Sequence, residues 1–265
     1  MKRTKDNMKA NRIRRLLGAT LAALACVILA HTSSARIVQG FESGDPAVTS
    51  IGDASVQQGT FEGEAAPQGS NQYLLTSFAS TDNDGFTNVS GTDAVSNASL
   101  QSFFFNDLSL TGLRGSGVLI PFTVVTGDTT LTFQYDFLSN QPEQTLPKND
   151  FGFEAIFNSS NAAVQGALNG NRFATVLPVS QFSLFGTSPF FDHTGYQTFS
   201  INISGLAAGT YTLGIGVEAL SGGSAQHDSG TLIDNIQVVP EPSTVAFSIA
   251  GAALLLALRR FKRNS

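Results

Sequence analysis

The sequence predicts an all-β protein built as a two-sheet antiparallel β-sandwich, jelly-roll-like, with one short helical insertion. Three observations support this fold class. Apolar and polar residues alternate with period two over several short segments, turn-forming residues separate these segments, and the composition is rich in Gly and Phe, with 26 and 21 residues, and lacks Trp. Period-two alternation is typical of strands that bury one face.

The clearest alternation covers residues 131–137, 151–157 and 211–217, where Phe, Tyr, Leu, Ile, Val or Ala stand at every second position. Weaker candidate strands are 37–41, 73–76, 118–125, 172–176, 198–203 and 232–238. Gly-containing turns such as 126–128 and 208–209 lie between them. Roughly nine strands at this spacing predict a two-sheet sandwich of the jelly-roll type.

One helix is predicted over residues 97–105. Ser96 or Asn97 is the expected N-cap, and Leu100, Phe103 and Phe104 share one face that we expect to be buried. The helix lies within 79–117, a long connection without clean alternation, and 139–150 is a second long connection. Long loops on a rigid scaffold often carry function.

The N-terminal segment has the pattern of a secretory signal peptide, residues 1–35. Seven Lys and Arg residues precede the apolar run 16–30, and small residues lead to a predicted cleavage after Ala35. The run of 15 residues is shorter than the roughly 20 that span a bilayer, which disfavours a membrane anchor. The Arg14-Arg15 pair leaves general secretory and twin-arginine export open. Lipidation at Cys26 is a further alternative.

The C-terminal segment, residues 239–265, joins three features in a fixed order. These are a Pro-Glu-Pro motif within Val239, Pro240, Glu241, Pro242 and Ser243, a predicted transmembrane helix at 244–258, and a basic end formed by Arg259, Arg260, Lys262 and Arg263. Basic residues favour the cytoplasmic side of a membrane. A plain C-terminal membrane anchor is the alternative.

This arrangement resembles the PEP-CTERM sorting signal of Gram-negative bacteria. The resemblance implies an exosortase-type membrane protease as a partner, transient insertion in the inner membrane, and delivery to the cell surface or the extracellular matrix. The family is associated with exopolysaccharide and biofilm matrix. The part that remains after both signals, residues 36–238, is predicted to be one β-sandwich ectodomain.

The charge of residues 36–238 is strongly negative, because this part contains four Lys and Arg residues against 18 Asp and Glu residues, a formal charge of −14. The whole-chain value of −5 hides this, since most basic residues lie in the terminal segments. Binding to nucleic acid is therefore not expected, because it depends on Lys and Arg. The acidic surface indicates either simple solubility or a role for cations such as calcium.

The two ends of the ectodomain carry motifs that resemble galactose-binding-like, jelly-roll carbohydrate-binding modules. The first is Gly40-Phe41-Glu42-Ser43-Gly44-Asp45, and the second is Asp234-Asn235-Ile236. The resemblance implies a structural calcium ion bound by Glu42 and Asp234, and we expect backbone carbonyl groups near Asp45 as additional ligands. The Trp that commonly follows the first motif is replaced here by the segment 45–48. The alternative is that these acids are ordinary capping residues.

Other polar clusters carry weaker signals. The segment 80–85 matches the first half of a calcium-binding EF-hand loop but lacks the acid at the twelfth position. The two histidines of residues 36–238, in Asp192-His193 and His227-Asp228, are expected in solvated loops. Asp136, Glu154 and Glu218 alternate with apolar residues, so we expect them on outward sheet faces.

These observations predict an exported, non-catalytic surface or matrix protein that binds polysaccharide or matrix partners. Catalytic motifs with a Ser, Cys or metal-bound nucleophile are not evident. The alternative function is a secreted carbohydrate-active hydrolase that uses acids such as Glu154 and Glu218.

Overall fold

The computed structural model describes residues 34–79, 89–139, 150–165, 171–174, 182–183, 190, 192–220 and 228–241. Most of the predicted signal peptide, the segment 242–265 with its predicted membrane helix and basic end, the acidic motif 80–85 and His227 lie outside these residues. In the described part, no helix has the length and hydropathy that a membrane span requires. Residues 36–238 form one compact unit.

Two antiparallel sheets make up this unit, which confirms the predicted sandwich. Sheet A contains β1 (Arg36–Gln39), β3 (Asp53–Gln58), β6 (Asn71–Thr76), β9 (Asp128–Ser139), β13 (Phe182–Ser183), β14 (Asp192–His193), β15 (Gln197–Asn202) and β17 (Ser229–Pro240). Sheet B contains β2 (Thr49–Ile51), β7 (Val95–Ser96), β8 (Arg114–Val124), β10 (Phe151–Phe157), β11 (Ala163–Gln165), β12 (Asn171–Ala174) and β16 (Gly209–Ala219). A small hairpin is formed by β4 (Thr60–Phe61) and β5 (Glu64–Ala65).

Each candidate strand read from alternation overlaps a strand of the structure, and the three clearest segments lie in β9, β10 and β16. The strands that alternation did not indicate are short or lie at sheet edges, such as β2, β3 and β14. Their sequences are polar, because an edge strand or a short strand buries little apolar surface. β17 also continues to Pro240, beyond the predicted end at 238; a proline is tolerated at the end of a strand.

The main core lies between the sheets. Sheet A contributes Leu131, Phe133 and Phe137 from β9, and sheet B contributes Ile215 and Val217 from β16, all at most 3% exposed. These residues are the apolar positions of the predicted period-two patterns. Alternation therefore identified the inner faces of β9 and β16 correctly. In β10 the predicted apolar set, Phe151, Phe153, Ala155 and Phe157, packs instead in a second cluster on the other face of sheet B, and Ile156 faces the inner core.

A second apolar layer covers the outer face of sheet B. Helix α1 (Asn97–Phe103) begins at Ser96, whose hydroxyl accepts a hydrogen bond from the backbone N–H of Ser99, so Ser96 is the N-cap. Leu100 and Phe104 are fully buried and pack against Phe153 and other apolar side chains of β10. Both faces of β10 are consequently buried.

The outer face of sheet A is covered by the β4–β5 hairpin. Gln72, on β6, donates through its side-chain amide to the carbonyl oxygens of Gly59 and Glu64, at 3.2 and 3.1 Å. Phe61 and Tyr196 pack against a small apolar cluster on this face that includes Leu74. Polar groups on this part of the sheet therefore lie beneath the hairpin rather than in open solvent.

A break in alternation occurs in β17. Ile233 faces the inner core, and so does Ile236, three residues later. Asn235 lies between them with φ of 53°, in the left-handed region. This conformation accommodates one extra residue in β17, as in a β-bulge. This irregularity leaves Asp234 on the outer face, beside Leu232 of the outer cluster, while the end of β17 pairs with β1.

Candidate metal-binding sites

Glu42, Asp45 and Asp234, the acids predicted from the two end motifs, lie where the first and last strands of the ectodomain pair. Asp45 closes the turn after β1, because its Oδ2 accepts the N–H groups of Gly40 and Glu42 at 2.8 and 3.0 Å. Gln68 donates its backbone N–H to Asp234 Oδ2 at 2.7 Å. The three acids thus come from both ends of the ectodomain.

The loop 67–71 lies between these acids, and sequence analysis did not identify it. Glu42 Oε1 accepts the backbone N–H groups of Ser70 and Asn71 at 2.5 and 2.7 Å. Gly69, between Gln68 and Ser70, has φ of 70°, and a Cβ at this position would lie 2.2 Å from the Glu42 carboxylate oxygen. Only glycine fits here, since both the backbone conformation and the close approach exclude a side chain.

The electrostatics of this group are unfavourable for a fully ionised set of acids. The pKa of Asp234 is raised from 3.8 to about 7, chiefly by burial and in part by the charges of Glu42 and Asp45, against hydrogen bonds from the N–H groups of Gln68 and Asn235. Like charges that lie close together disfavour ionisation of one of them. A bound cation would remove this conflict.

Two amide oxygens nearby suit a hard cation. The side-chain oxygens of Gln39 and Gln68 are buried without a hydrogen-bond partner. The Gln68 oxygen lies against Gly40, where a Cβ would be 1.5 Å away. Carboxylate and amide oxygens are the ligands that calcium prefers. These acids and amides are called here the end-strand site; unlike those of the group described next, the ligand atoms of Glu42, Asp45 and Asp234 are not gathered within 4.8 Å of one another.

A second group of possible ligands lies on the outer face of sheet A. Glu64 is on the hairpin strand β5, Asp136 on the central strand β9, and His193 on the adjacent strand β14. Nδ1 of His193 is 2.9 Å from Asp136 Oδ2 and 3.7 Å from Glu64 Oε1. One donor atom from each residue lies within 4.8 Å of the others, so this group, called here the hairpin site, has the geometry to hold a metal ion.

The expectation of solvated histidines was wrong for His193, which is 5% exposed and lies on a strand. The pKa of His193 is raised, first by its hydrogen bond with Asp136. Burial lowers this pKa, and the charges of Asp136, Glu64 and Glu62 raise it. Asp228, from the other predicted pair, is buried and forms an ion pair with Arg114 at 2.7 Å. The hairpin that covers His193 could not be read from a His-Asp pair in the sequence.

Tyr196 lies between the two sites. Its hydroxyl donates to the side-chain oxygen of Gln72. Burial raises the pKa of Tyr196 above its ordinary value, and the charges of Asp234, Asp136 and Glu64 add to this effect, in that order. The pKa of Tyr196 therefore depends on acids of both the end-strand site and the hairpin site.

Glu154 and Glu218 were expected to be exposed on outward sheet faces, but both side chains are fully buried, and only Glu218 lies on an outer face. Glu154 pairs with Ile215, whose side chain lies in the inner core, whereas Glu218 pairs with Phe151, which lies in the outer layer under α1. Paired residues of antiparallel strands share a face, so these two acids lie on opposite faces of sheet B. They cannot act on one glycosidic bond as a carboxylate pair.

Comparisons with known proteins give only distant likenesses. No family model and no curated protein matches the chain. Solved structures that resemble it include TmCBM61 in complex with beta-1,4-galactotriose, with a TM-score of 0.38, 13% identity, and coverage of 78% of this chain and 99% of that chain. The K1 cleaved adhesin domain of Lys-gingipain from Porphyromonas gingivalis W83 has a TM-score of 0.40 at 13% identity, with 80% and 99% covered.

A non-crystalline cellulose specific carbohydrate-binding module, CBM28, has a TM-score of 0.40 at 11% identity, with 77% and 95% covered. At these identities and scores, nothing about a ligand or a site of this chain follows from the likeness.

Proposed function

We propose that the chain is an exported, non-catalytic surface or matrix protein whose jelly-roll-like ectodomain, residues 36–238, is closed by a structural calcium ion and binds polysaccharide or matrix partners. The observation that carries this proposal is the meeting of Glu42, Asp45 and Asp234 at the junction of the first and last strands. In the described part of the chain, their hydrogen-bond partners are backbone N–H groups and the side chains of Ser70 and Asn71, and none is a Lys or Arg.

Calcium at this site would neutralise the acids and hold both ends of the ectodomain together. Glu42 and Asp234 would supply carboxylate oxygens, with Asp45 and the orphaned oxygens of Gln39 and Gln68 in support. The ligands come from chain positions far apart, so the ion would restrain a long loop and stabilise the folded state.

Thermal unfolding with and without a chelator tests the calcium site. At a calcium concentration of about 100 Kd, binding stabilises the folded state by roughly 2.7 kcal/mol. For a domain of this size, that corresponds to a Tm about 5–10 °C higher in calcium than in chelator. Glu42→Gln should lose most of this calcium response, and Asp107→Asn, at an exposed acid, should keep it. An unchanged Tm on chelation of the wild-type protein would contradict the proposal.

The proposal of export and processing is supported by the terminal segments. A signal peptide ending at Ala35 would leave Arg36 as the first residue, and an exosortase-type protease would act near Pro240-Glu241-Pro242 while the segment 244–258 is inserted in the inner membrane. Mass spectrometry of the mature protein from native cells tests both ends. Mature protein that still contains residues 243–265 would argue against processing.

Polysaccharide or matrix binding is proposed from the predicted export, the acidic ectodomain and the long loops on a rigid sandwich. A glycan array in calcium-containing buffer, together with a pull-down from isolated matrix, tests it. Failure in both assays would leave a purely structural role. The predicted alternative, a hydrolase based on Glu154 and Glu218, is not proposed, because these residues lie on opposite faces of sheet B.

A further inference from the structure

The hairpin site has a feature that a simple hydrogen-bonded pair does not need. Two carboxylates from different elements, Asp136 and Glu64, approach the same nitrogen, Nδ1 of His193, at 2.9 and 3.7 Å. A neutral imidazole has one N–H, which can serve only one of these acids. A divalent cation in place of that proton would interact with both carboxylates and with the nitrogen lone pair, where it would replace a long hydrogen bond of 3.3 Å from the Gly195 N–H.

We propose that Glu64, Asp136 and His193 form a binding site for a zinc-type divalent cation that fastens the β4–β5 hairpin to sheet A. This site is separate from the end-strand site and does not depend on the function proposed above. It joins three elements that are distant in sequence, and each contributes one ligand atom.

The choice of ion follows from the ligands. An imidazole nitrogen with two carboxylate oxygens suits zinc and its first-row neighbours, whereas calcium prefers oxygen ligands alone. Bond lengths of about 2.0–2.2 Å in a tetrahedral zinc site place neighbouring ligand atoms roughly 3.3 Å apart. The observed separations of 2.9 and 3.7 Å lie on either side of this value, and all three ligand atoms lie within 4.8 Å of one another, so movement of the partly exposed Glu64 side chain would form the site.

Asp136 is oriented for this role by its second oxygen. Oδ1 accepts both the backbone N–H and the hydroxyl group of Thr194, each at 3.0 Å, which turns Oδ2 toward His193. Asp136 is fully buried, so this orientation is held by packing as well. Hydrogen bonds that orient a ligand carboxylate are typical of metal sites.

The open side of the site faces solvent. The Glu64 side chain is 30% exposed, whereas those of Asp136 and His193 are 0% and 6% exposed. An ion can therefore enter past Glu64, and water can complete its coordination. Because Glu64 belongs to the hairpin, binding should reduce the opening of residues 60–65.

The chain offers a clean test, because residues 36–238 contain no cysteine and only two histidines, His193 and His227. Isothermal titration of the purified protein with zinc chloride, in buffer that already contains saturating calcium, should give one zinc ion per chain. His193→Gln should weaken zinc binding at least ~10-fold, and His227→Gln should leave it unchanged. Thr194→Val should weaken it by roughly 10–100-fold, as expected for a residue that orients a ligand.

Two further measurements make the test independent of variant folding. Cobalt bound to the wild-type protein should show visible absorption bands that zinc abolishes by competition. Amide hydrogen exchange in residues 60–65 should slow when zinc is added. The variant Glu64→Gln, at a partly exposed position, should keep the calcium-dependent Tm but lose both signals.

The absence of zinc binding by folded wild-type protein would overturn the proposal. Equal loss of binding in His193→Gln and His227→Gln would do the same, since it would place the ion elsewhere. Neither outcome affects the end-strand site, because the calcium response is measured separately.

Discussion

Buried aspartates in this protein hold loops in place by accepting backbone N–H groups. Asp53, on β3, accepts the N–H groups of Val89 and Ser90, the first described residues after a long connection. Asp150 accepts two hydrogen bonds, one from the backbone N–H of Leu220 at 3.0 Å and one from the hydroxyl group of Ser229 at 2.8 Å. Hydrogen bonds to an ionised acceptor are stronger than neutral ones, so a carboxylate suits this task.

At the residue scale, Asp150 makes the stability of the fold depend on pH. Burial raises the pKa of Asp150 from 3.8 to about 6, against the two hydrogen bonds and the charge of Arg114, which itself pairs with Asp228. The folded protein therefore binds this proton more tightly than the unfolded chain does. The contribution of this group is most favourable below about pH 4 and is lost as the pH rises through about 6.

We expect the Asp150 contribution to fall by roughly 3 kcal/mol between about pH 4 and pH 7. Urea unfolding across this range should show a flatter pH dependence for Asp150→Asn than for the wild-type protein. Asp107→Asn, at an exposed carboxylate, serves as the control and should follow the wild-type curve. An equally steep curve for Asp150→Asn would show that other groups cause the pH dependence.

At the scale of elements, α1 and the segment after it supply the outer layer of sheet B. The Phe104 ring lies directly on the backbone of Gly117 and Gly214, where an added Cβ would be 2.6 and 2.8 Å from the ring. Phe153 packs edge-on against the same ring, with centroids 5.3 Å apart. Glycines in these central strands thus allow the helix layer to approach the sheet closely.

Phe104→Ala should destabilise the protein by about 3–5 kcal/mol, because it leaves a cavity between α1 and sheet B. Thermal and urea unfolding measure this change. Leu113→Ala, at a side chain that is 50% exposed, is the matched control and should have a small effect. A loss of stability for Phe104→Ala no larger than that control would show that the helix layer contributes little to the fold.

At the scale of the whole molecule, the formal charge of −14 on residues 36–238 produces self-repulsion. Two described ion pairs, Arg36 with Asp128 and Arg114 with Asp228, offset a small part of it. Several acids are buried, so the repulsion acts within the fold as well as on its surface.

We therefore expect added sodium chloride to raise the Tm of the protein in chelator by a few degrees between about 0.01 and 0.3 M, because salt screens like charges. Calcium should raise the Tm at constant ionic strength, and magnesium at the same concentration should do so less. A Tm that falls with salt would show that attractive ion pairs dominate the electrostatics of the fold.

The predictions that succeeded concern features contained in one element. Alternation located β9, β10 and β16, and the cap at Ser96 with the apolar positions Leu100 and Phe104 located α1. The predictions that failed concern the packing of other elements against the faces of a strand. Glu218 and His193 were expected in solvent, because a single sequence does not show that α1 and the hairpin lie over the outer faces of the sheets. Glu154 was expected to face outward, but it faces the inner core, because the apolar set of β10 packs in the outer layer instead.

The sequence by itself determined the sandwich class, the acidity of the ectodomain, the predicted terminal signals and the acids Glu42, Asp45 and Asp234 as one candidate set. The tertiary structure alone placed Gln68 and its loop between these acids and assembled Glu64, Asp136 and His193 from three separate elements. The physical reason is that the period-two pattern reports the two faces of one strand. Which groups meet across strands depends on sheet order, register and the layers packed outside, and these are decided by long-range packing.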